Sequence, residues 1–303
     1  TIAVALAGVG PEAVEPLIRA LRDSDPKVRG GASYAIERMG ERAGAAAPAL
    51  AAALADPESP DDPRPSRRPS FEGWQREGEP RPSGYDAALR AIGSPAVSAL
   101  LEQLGAPDRQ TRVNTLKALG FFGDAAKPAI PRLIALLADP DLRGDAAAAL
   151  GGIGDRSAIP PLIAGLKDSD PVFRARAAEA LGRIGWERQM AQYSTRTFAR
   201  GAVRPLAAAL SDTDPAVRVA AARALSDIGS EASEAINELT AALGDPVADV
   251  RLAAIRAFSR VGNMPVGSRD VFVALLKDSD PRIREAAAGA IDQRAFEAEA
   301  VVA

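Results

Sequence analysis

The 303-residue chain contains no cysteine and no histidine. Without Cys there is no disulfide, no thiolate nucleophile and no Cys-ligated zinc. Without His the commonest general base and the commonest metal ligand are missing, so Ser-His-Asp and Cys-His catalytic arrangements are excluded. Lysine is scarce too: Lys27, Lys117, Lys127, Lys167 and Lys277 are the only five among 37 basic residues. With so much alanine, the arginine excess reads as GC-rich coding. No apolar run reaches the roughly 18 residues that a membrane span needs. The segment Thr1 to Leu6 lacks the basic stretch that precedes a signal sequence. A net charge of −3 gives no whole-chain attraction to nucleic acid or anionic membrane.

What the chain does have is a repeat. Asp-Pro pairs recur at Asp25-Pro26, Asp56-Pro57, Asp139-Pro140, Asp170-Pro171, Asp214-Pro215, Asp245-Pro246 and Asp280-Pro281, and Pro107 fills the same slot without its Asp. Asp before Pro starts a helix, because the carboxylate accepts free N–H groups and Pro is tolerated at the first helical position. Gly40, Gly93, Gly123, Gly154, Gly185, Gly229 and Gly262 then read as helix stops. A second amphipathic segment precedes each Asp-Pro, as in Ala202 to Leu210. Each unit is therefore helix A, a tight turn and helix B, with roughly 10–14 residues per helix. Stacked units bury one continuous core, which predicts an all-α solenoid, a right-handed superhelix of about eight two-helix repeats.

The pattern resembles HEAT repeats, and most closely the short bacterial kind labelled PBS-lyase HEAT-like repeats. Leu166 to Gly185 carries the signature. Pro16, Pro48, Pro131, Pro161 and Pro205 near the start of helix A fit it, as do Arg29, Arg143, Arg174, Arg218 and Arg284, three residues after the turn Pro. The seventh unit departs, with two additional residues before Arg251. The resemblance implies a binding scaffold, and implies that the turn arginines pair with turn aspartates of neighbouring repeats. It also implies two other roles as alternatives: a bilin lyase-like or other enzyme-associated subunit, and a nucleic-acid or phosphate-ligand binder. No residue carries over as a lyase residue. The HEAT-built iron-dependent hydroxylase uses His-Glu pairs, which this chain lacks.

The expected units are 10–40, 42–93, 94–123, 124–154, 155–185, 200–229, 230–262 and 263–293, forming one solenoid over 1–303. Residues 1–8 read as the tail of an earlier helix B, and Phe296 to Ala303 as an apolar end without a polar cap. Both suggest a mature or trimmed piece of a longer protein, or ends that meet further repeats or subunits.

The period fails at 58–84, inside the second unit, and at 186–199, between units. These inserts hold five of the thirteen aromatics: Phe71, Trp74, Trp186, Tyr193 and Phe198. Disordered spacers are poor in aromatics and protein-binding patches are rich in them. The five are therefore candidates for partner contact, or for pinning each loop to its own solenoid.

Other candidates have local explanations. Asp-x-Asp pairs, at Asp23/Asp25, Asp168/Asp170, Asp212/Asp214 and Asp278/Asp280, could hold a hard cation, but each falls at the same turn just before a helix, where capping accounts for it. Gly151-Gly152-Ile153-Gly154 ends a helix and follows no strand, so it is no phosphate cradle. No cofactor or metal site is marked out. The helix B segments carry 19 basic residues against 10 acidic ones. In this repeat class helix B lines the concave side, so the imbalance suggests a basic groove. Seven of the 19 are turn arginines. Lys117, Arg176, Arg183, Arg223, Arg256 and Arg260 remain as candidate contacts. The resemblance, in a chain with no Cys or His for catalysis, implies a non-catalytic scaffold that grips a protein partner by its concave helix B face, with the aromatic inserts adding specificity, ahead of a binder of nucleic acid.

Overall fold

Every regular element among the described residues is helical. The computed structural model describes residues 10–55, 84–190, 200–262 and 268–300, with backbone alone at 186–190, 200, 268–269 and 292–300. Phe71, Trp74, Tyr193 and Phe198, and with them 58–83 of the first insert and 191–199 of the second, lie outside the described residues. Inter-residue contacts divide the chain into two compact units, residues 1–133 and 134–303.

Unit 1 contains α1 (Val14–Ala20), α2 (Pro26–Met39), α3 (Ala47–Ala53), α4 (Gly84–Ile92), α5 (Ser94–Gln103), α6 (Arg109–Gly120) and the start of α7 (Ile130–Leu136). Helix α2 packs on α1 and α4, and α5 packs on α3 and α6. The core is aliphatic, with Ile36, Leu50, Leu89, Leu100 and Leu116 fully buried. Gly84 was expected within the first insert. It instead opens α4, is buried, and accepts a 2.7 Å hydrogen bond from the Ser33 hydroxyl.

Unit 2 contains α8 (Arg143–Ile153), α9 (Ile159–Gly165), α10 (Pro171–Met190), α11 (Arg200–Ala209), α12 (Pro215–Ile228), α13 (Ile236–Ala242), α14 (Ala248–Val261), α15 (Ser268–Leu275) and α16 (Pro281–Ala300). The B helices α8, α10, α12, α14 and α16 lie side by side in that order, and they pack on one another far more closely than the A helices do. Small side chains permit this approach. A Cβ on Gly151 would stand 2.9 Å from the Ala180 Cα, and one on Gly182 would stand 2.7 Å from the Ala224 Cα. Phe258 and Phe272 meet edge to face at 5.2 Å beneath the layer.

The helix punctuation follows the sequence with three corrections. Asp25 and Asp214 cap α2 and α12 by accepting from the Lys27 and Ala216 N–H groups. Gly40, Gly93, Gly123, Gly154, Gly229 and Gly262 adopt positive φ as expected. Gly185 does not, and α10 runs through it to Met190, carrying Trp186 on its continuation. Glycine is needed there for a different reason: a Cβ would stand 2.8 Å from Ile228 Cγ1 of α12. Second, Pro107 is not the turn proline. Asp108 is the cap of α6, accepting from both the N–H and the hydroxyl of Thr111. Third, the seventh unit has no additional residues. Asp245 takes the place of Asp212 and Asp278, not that of Asp214, and Val247 stands where the capping Asp does elsewhere.

Candidate functional site

The chemistry the repeat concentrates is a row of arginine–aspartate contacts along the turn edge of unit 2. Arg174 donates through Nε and Nη2 to both carboxylate oxygens of Asp212, at 2.8 and 2.7 Å. Arg218 holds Asp245 in the same two-point way at 2.7 and 2.9 Å. Arg251 holds Asp278 at 2.8 and 2.9 Å. Arg143 begins the row by reaching both Asp168 and Asp170, with its guanidinium 4.9 Å over the Phe173 ring. Each arginine lies four residues or fewer into its helix, so its side chain emerges at the turn edge and meets the next unit.

Two further sets of bonds lock the geometry. The Nη1 of Arg174, Arg218 and Arg251 donates back to the carbonyl six residues earlier, that of Asp168, Asp212 and Asp245 respectively. In unit 1 Arg29 does the same with Asp23. Each receiving carboxylate also accepts the N–H two residues on: Asp212 from Asp214, Asp245 from Val247, Asp278 from Asp280. The guanidinium is thus shared between its own turn and the next, and the carboxylate does the same. Planar two-point pairs of this kind are the strong class of charged hydrogen bond.

The electrostatics follow from the contacts. The Arg174 side chain and the Asp214 N–H hold the Asp212 carboxyl below its ordinary value, against the opposing effect of burial. At Asp245 burial pushes upward, yet Arg218 and the Val247 N–H together leave the carboxyl lowered. Asp278 is lowered by Arg251 and the Asp280 N–H. The paired Asp-x-Asp motifs are therefore occupied by caps and by arginine. Among the described residues no group of three or more His, Cys, Asp or Glu is arranged to hold a metal ion.

The remaining basic candidates are not one continuous groove. Arg176 is exposed and bridged to Glu179 at 3.1 Å. Arg183 is half-buried and Arg260 exposed, and both hold contacts, as does the acidic Asp227. Arg223 and Arg256 are exposed. In unit 1 Lys117 is exposed on α6. Counted from the turn arginine of its own helix, Lys117, Arg223 and Arg256 all occupy the fifth following position. In α10 the same position is Glu179, and in α8 it is Ala148. The outward face of the B layer in unit 2 therefore mixes Asp145, Arg176, Glu179, Arg183, Arg223 and Asp227. A row so broken by acids is a poor track for a polyanion.

A shallow open cleft on the A side is lined by Arg204, Ala207, Ala208, Glu234 and Glu238, with Arg204 Nε 3.3 Å from Glu234. No helix is long and apolar enough to cross a membrane among the described residues.

Comparison with known proteins agrees with this architecture. The family model described as HEAT repeats matches residues 1–64, 130–193, 188–259 and 236–302. The model described as PBS lyase HEAT-like repeat matches 111–139. No curated protein is matched by sequence. Among solved structures, a Kap121p mutant is similar with a TM-score of 0.61 at 15% identity, covering 95% of this chain and 34% of that one. Kap121p bound to Nup53p is similar with a TM-score of 0.58 at 14% identity, over 91% of this chain and 32% of that one. The chain thus spans about a third of the length of these two. The CpcE–CpcF complex of phycocyanin lyase from Nostoc sp. is similar with a TM-score of 0.45 at 27% identity, over 73% of this chain and 80% of that one. The likeness to Kap121p concerns the all-α solenoid fold.

Proposed function

Because the chain belongs to the HEAT-repeat family, we propose that it is a non-catalytic scaffold that binds a protein partner along the outward face of its B helices. One observation carries this reading. The turn residues are consumed by caps and by the Arg–Asp row, whereas the B face of unit 2 displays charged side chains that no repeat-to-repeat contact uses, Arg223 and Arg256 foremost. Stacked repeats present extended surfaces of this kind, suited to gripping macromolecules. The inserts, with Phe71, Trp74, Trp186, Tyr193 and Phe198, add specificity to that grip. Residues 1–303 act as one solenoid in this reading.

A photo-reactive residue at Ser259, exposed on α14, tests it against one at Ala208, exposed on α11. Cross-linking in the native source followed by mass spectrometry is expected to capture a protein from Ser259 and not from Ala208. Equal capture from both, or from Ala208 alone, refutes a B-face role. The match of 111–139 to a PBS lyase HEAT-like repeat favours a second reading, a subunit that assists a bilin lyase. Bilin absorbance co-purifying with the chain would support that reading.

A further inference from the structure

Resting on the B-face reading, we propose that Arg223 and Arg256 form a two-point anchor for an extended acidic segment of the partner, with two carboxylates three residues apart. Both arginines stand five residues after a turn arginine, Arg218 or Arg251. Helices α12 and α14 pack directly on each other. Equivalent positions on neighbouring helices are separated by one helix spacing, about 8–10 Å. In the polyproline-II form of extended chain, with three residues per turn and a rise of about 3.1 Å, residues three apart lie about 9 Å apart on the same face, so carboxylates at that interval reach both guanidinium groups at once.

The surroundings leave the pair available. Both side chains are exposed, and neither makes an ion pair or side-chain hydrogen bond among the described residues. The nearest acid on α12, Asp227, leans away: its Oδ2 lies 3.0 Å from where a Cβ on Gly182 of α10 would stand. Three residues before each arginine on its own helix stands a small buried side chain, Ala220 or Ala253. On one side the row ends at Glu179, which is engaged with Arg176, and on the other at Gly289 of α16. At this position of the helices the positive row is therefore two charges wide. That width fits a pair of carboxylates and stops short of a nucleic-acid backbone, whose further phosphates would meet Glu179 and Asp227. Arginine also has the planar fork that takes a carboxylate by two bonds, which the chain itself uses at Asp212, Asp245 and Asp278.

The test selects peptides from a random 12-residue display library on the whole chain and measures binding of the selected peptides by anisotropy. The expected winners carry Asp or Glu three residues apart. Their affinity falls at least tenfold in R223Q/R256Q, whose melting and helical content stay unchanged, and the charge-reversed R223E/R256E selects basic peptides instead. Winners that lack acids, or that bind R223Q/R256Q equally well, overturn the anchor. If those winners still cross-link to Ser259, the B-face reading survives that loss; failure to select any peptide overturns both. Duplex DNA that binds and is released by the same double substitution also overturns it, in favour of a phosphate ligand.

Discussion

Arg174 grips Asp212 across 38 residues of sequence, the longest reach of any Arg–Asp contact in the row. The chain between them includes the second insert. Elsewhere the same pairing spans 27 residues, as in Arg218 to Asp245. The contact geometry is unchanged by the longer connection, so the interlock is set by how the helices stack and not by the length of the tether.

Removing one partner of an interlock leaves the other charge part-buried without its match. Asp245→Asn removes the charge that Arg218 grips, and its side chain is only 8% exposed. The expected loss is about 1–3 kcal/mol of stability in unit 2, read from the urea midpoint. Arg218→Lys is expected to lose most of the same amount, because an ammonium cannot make the two-point contact. A double-mutant cycle with R218Q and D245N checks the coupling. Additive losses would show that the pair contributes nothing jointly.

The carboxyls of Asp212, Asp245 and Asp278 all sit below their ordinary value in the folded chain. A lowered carboxyl contributes stability above its unfolded value, near pH 3.9, and that stability is lost as pH falls through the folded value. With no histidine in the chain, the urea midpoint is expected to stay flat from about pH 5 to 7 and to drop below about pH 4. D212N/D245N/D278N should flatten the acid limb. An unflattened limb would place acid sensitivity elsewhere.

Two glycine substitutions should have opposite signs. Gly289 lies on α16 with open space where a Cβ would go, so Gly289→Ala is expected to stabilise by about 0.5–1 kcal/mol through helix propensity. Gly182→Ala brings the same propensity but places its Cβ 2.7 Å from the Ala224 Cα. It is expected to destabilise by about 1–3 kcal/mol through overpacking. Thermal melts of the two variants decide the matter, and a stabilised Gly182→Ala would show that α10 and α12 separate readily.

Replacing residues 58–83 by a short Gly/Ser turn is expected to leave helical content and melting nearly intact. Gly84 must stay, since its carbonyl receives the Ser33 hydroxyl at 2.7 Å in a buried setting. Cooperative loss of folding on circular dichroism would show that the insert belongs to the core.

The repeat was legible because its signals are local. A capping Asp, a turn Pro and a left-handed Gly each state their role within a few residues, and six of the seven stop glycines behaved as read. Gly185 misled because glycine answers two different demands with one letter: positive φ, and close approach to a neighbouring helix. Only the position of Ile228 tells them apart. Asp245 misled because Asp-Pro fits two registers, and the deciding bond runs from Arg251 to the Asp245 carbonyl. The candidate surface was half legible. The exposed arginines were found by subtracting the turn set, but that Arg176 is spoken for by Glu179 is a matter of side-chain placement. That Arg223 and Arg256 share one register depends on knowing which Asp begins each turn.

The glycine ends and the Arg–Asp row lie on opposite edges of unit 2. On the glycine edge B helices such as α8 and α12 run on into the A helix of the next repeat, so neighbours there are joined by the peptide chain itself. On the turn edge nothing covalent links one repeat to the next, and Arg143, Arg174, Arg218 and Arg251 are the clasps that close it. Unit 2 is closed like a clasped book: its spine is peptide, and its open side is held by ionic latches, of which those at Asp212, Asp245 and Asp278 let go as acid protonates the carboxylates.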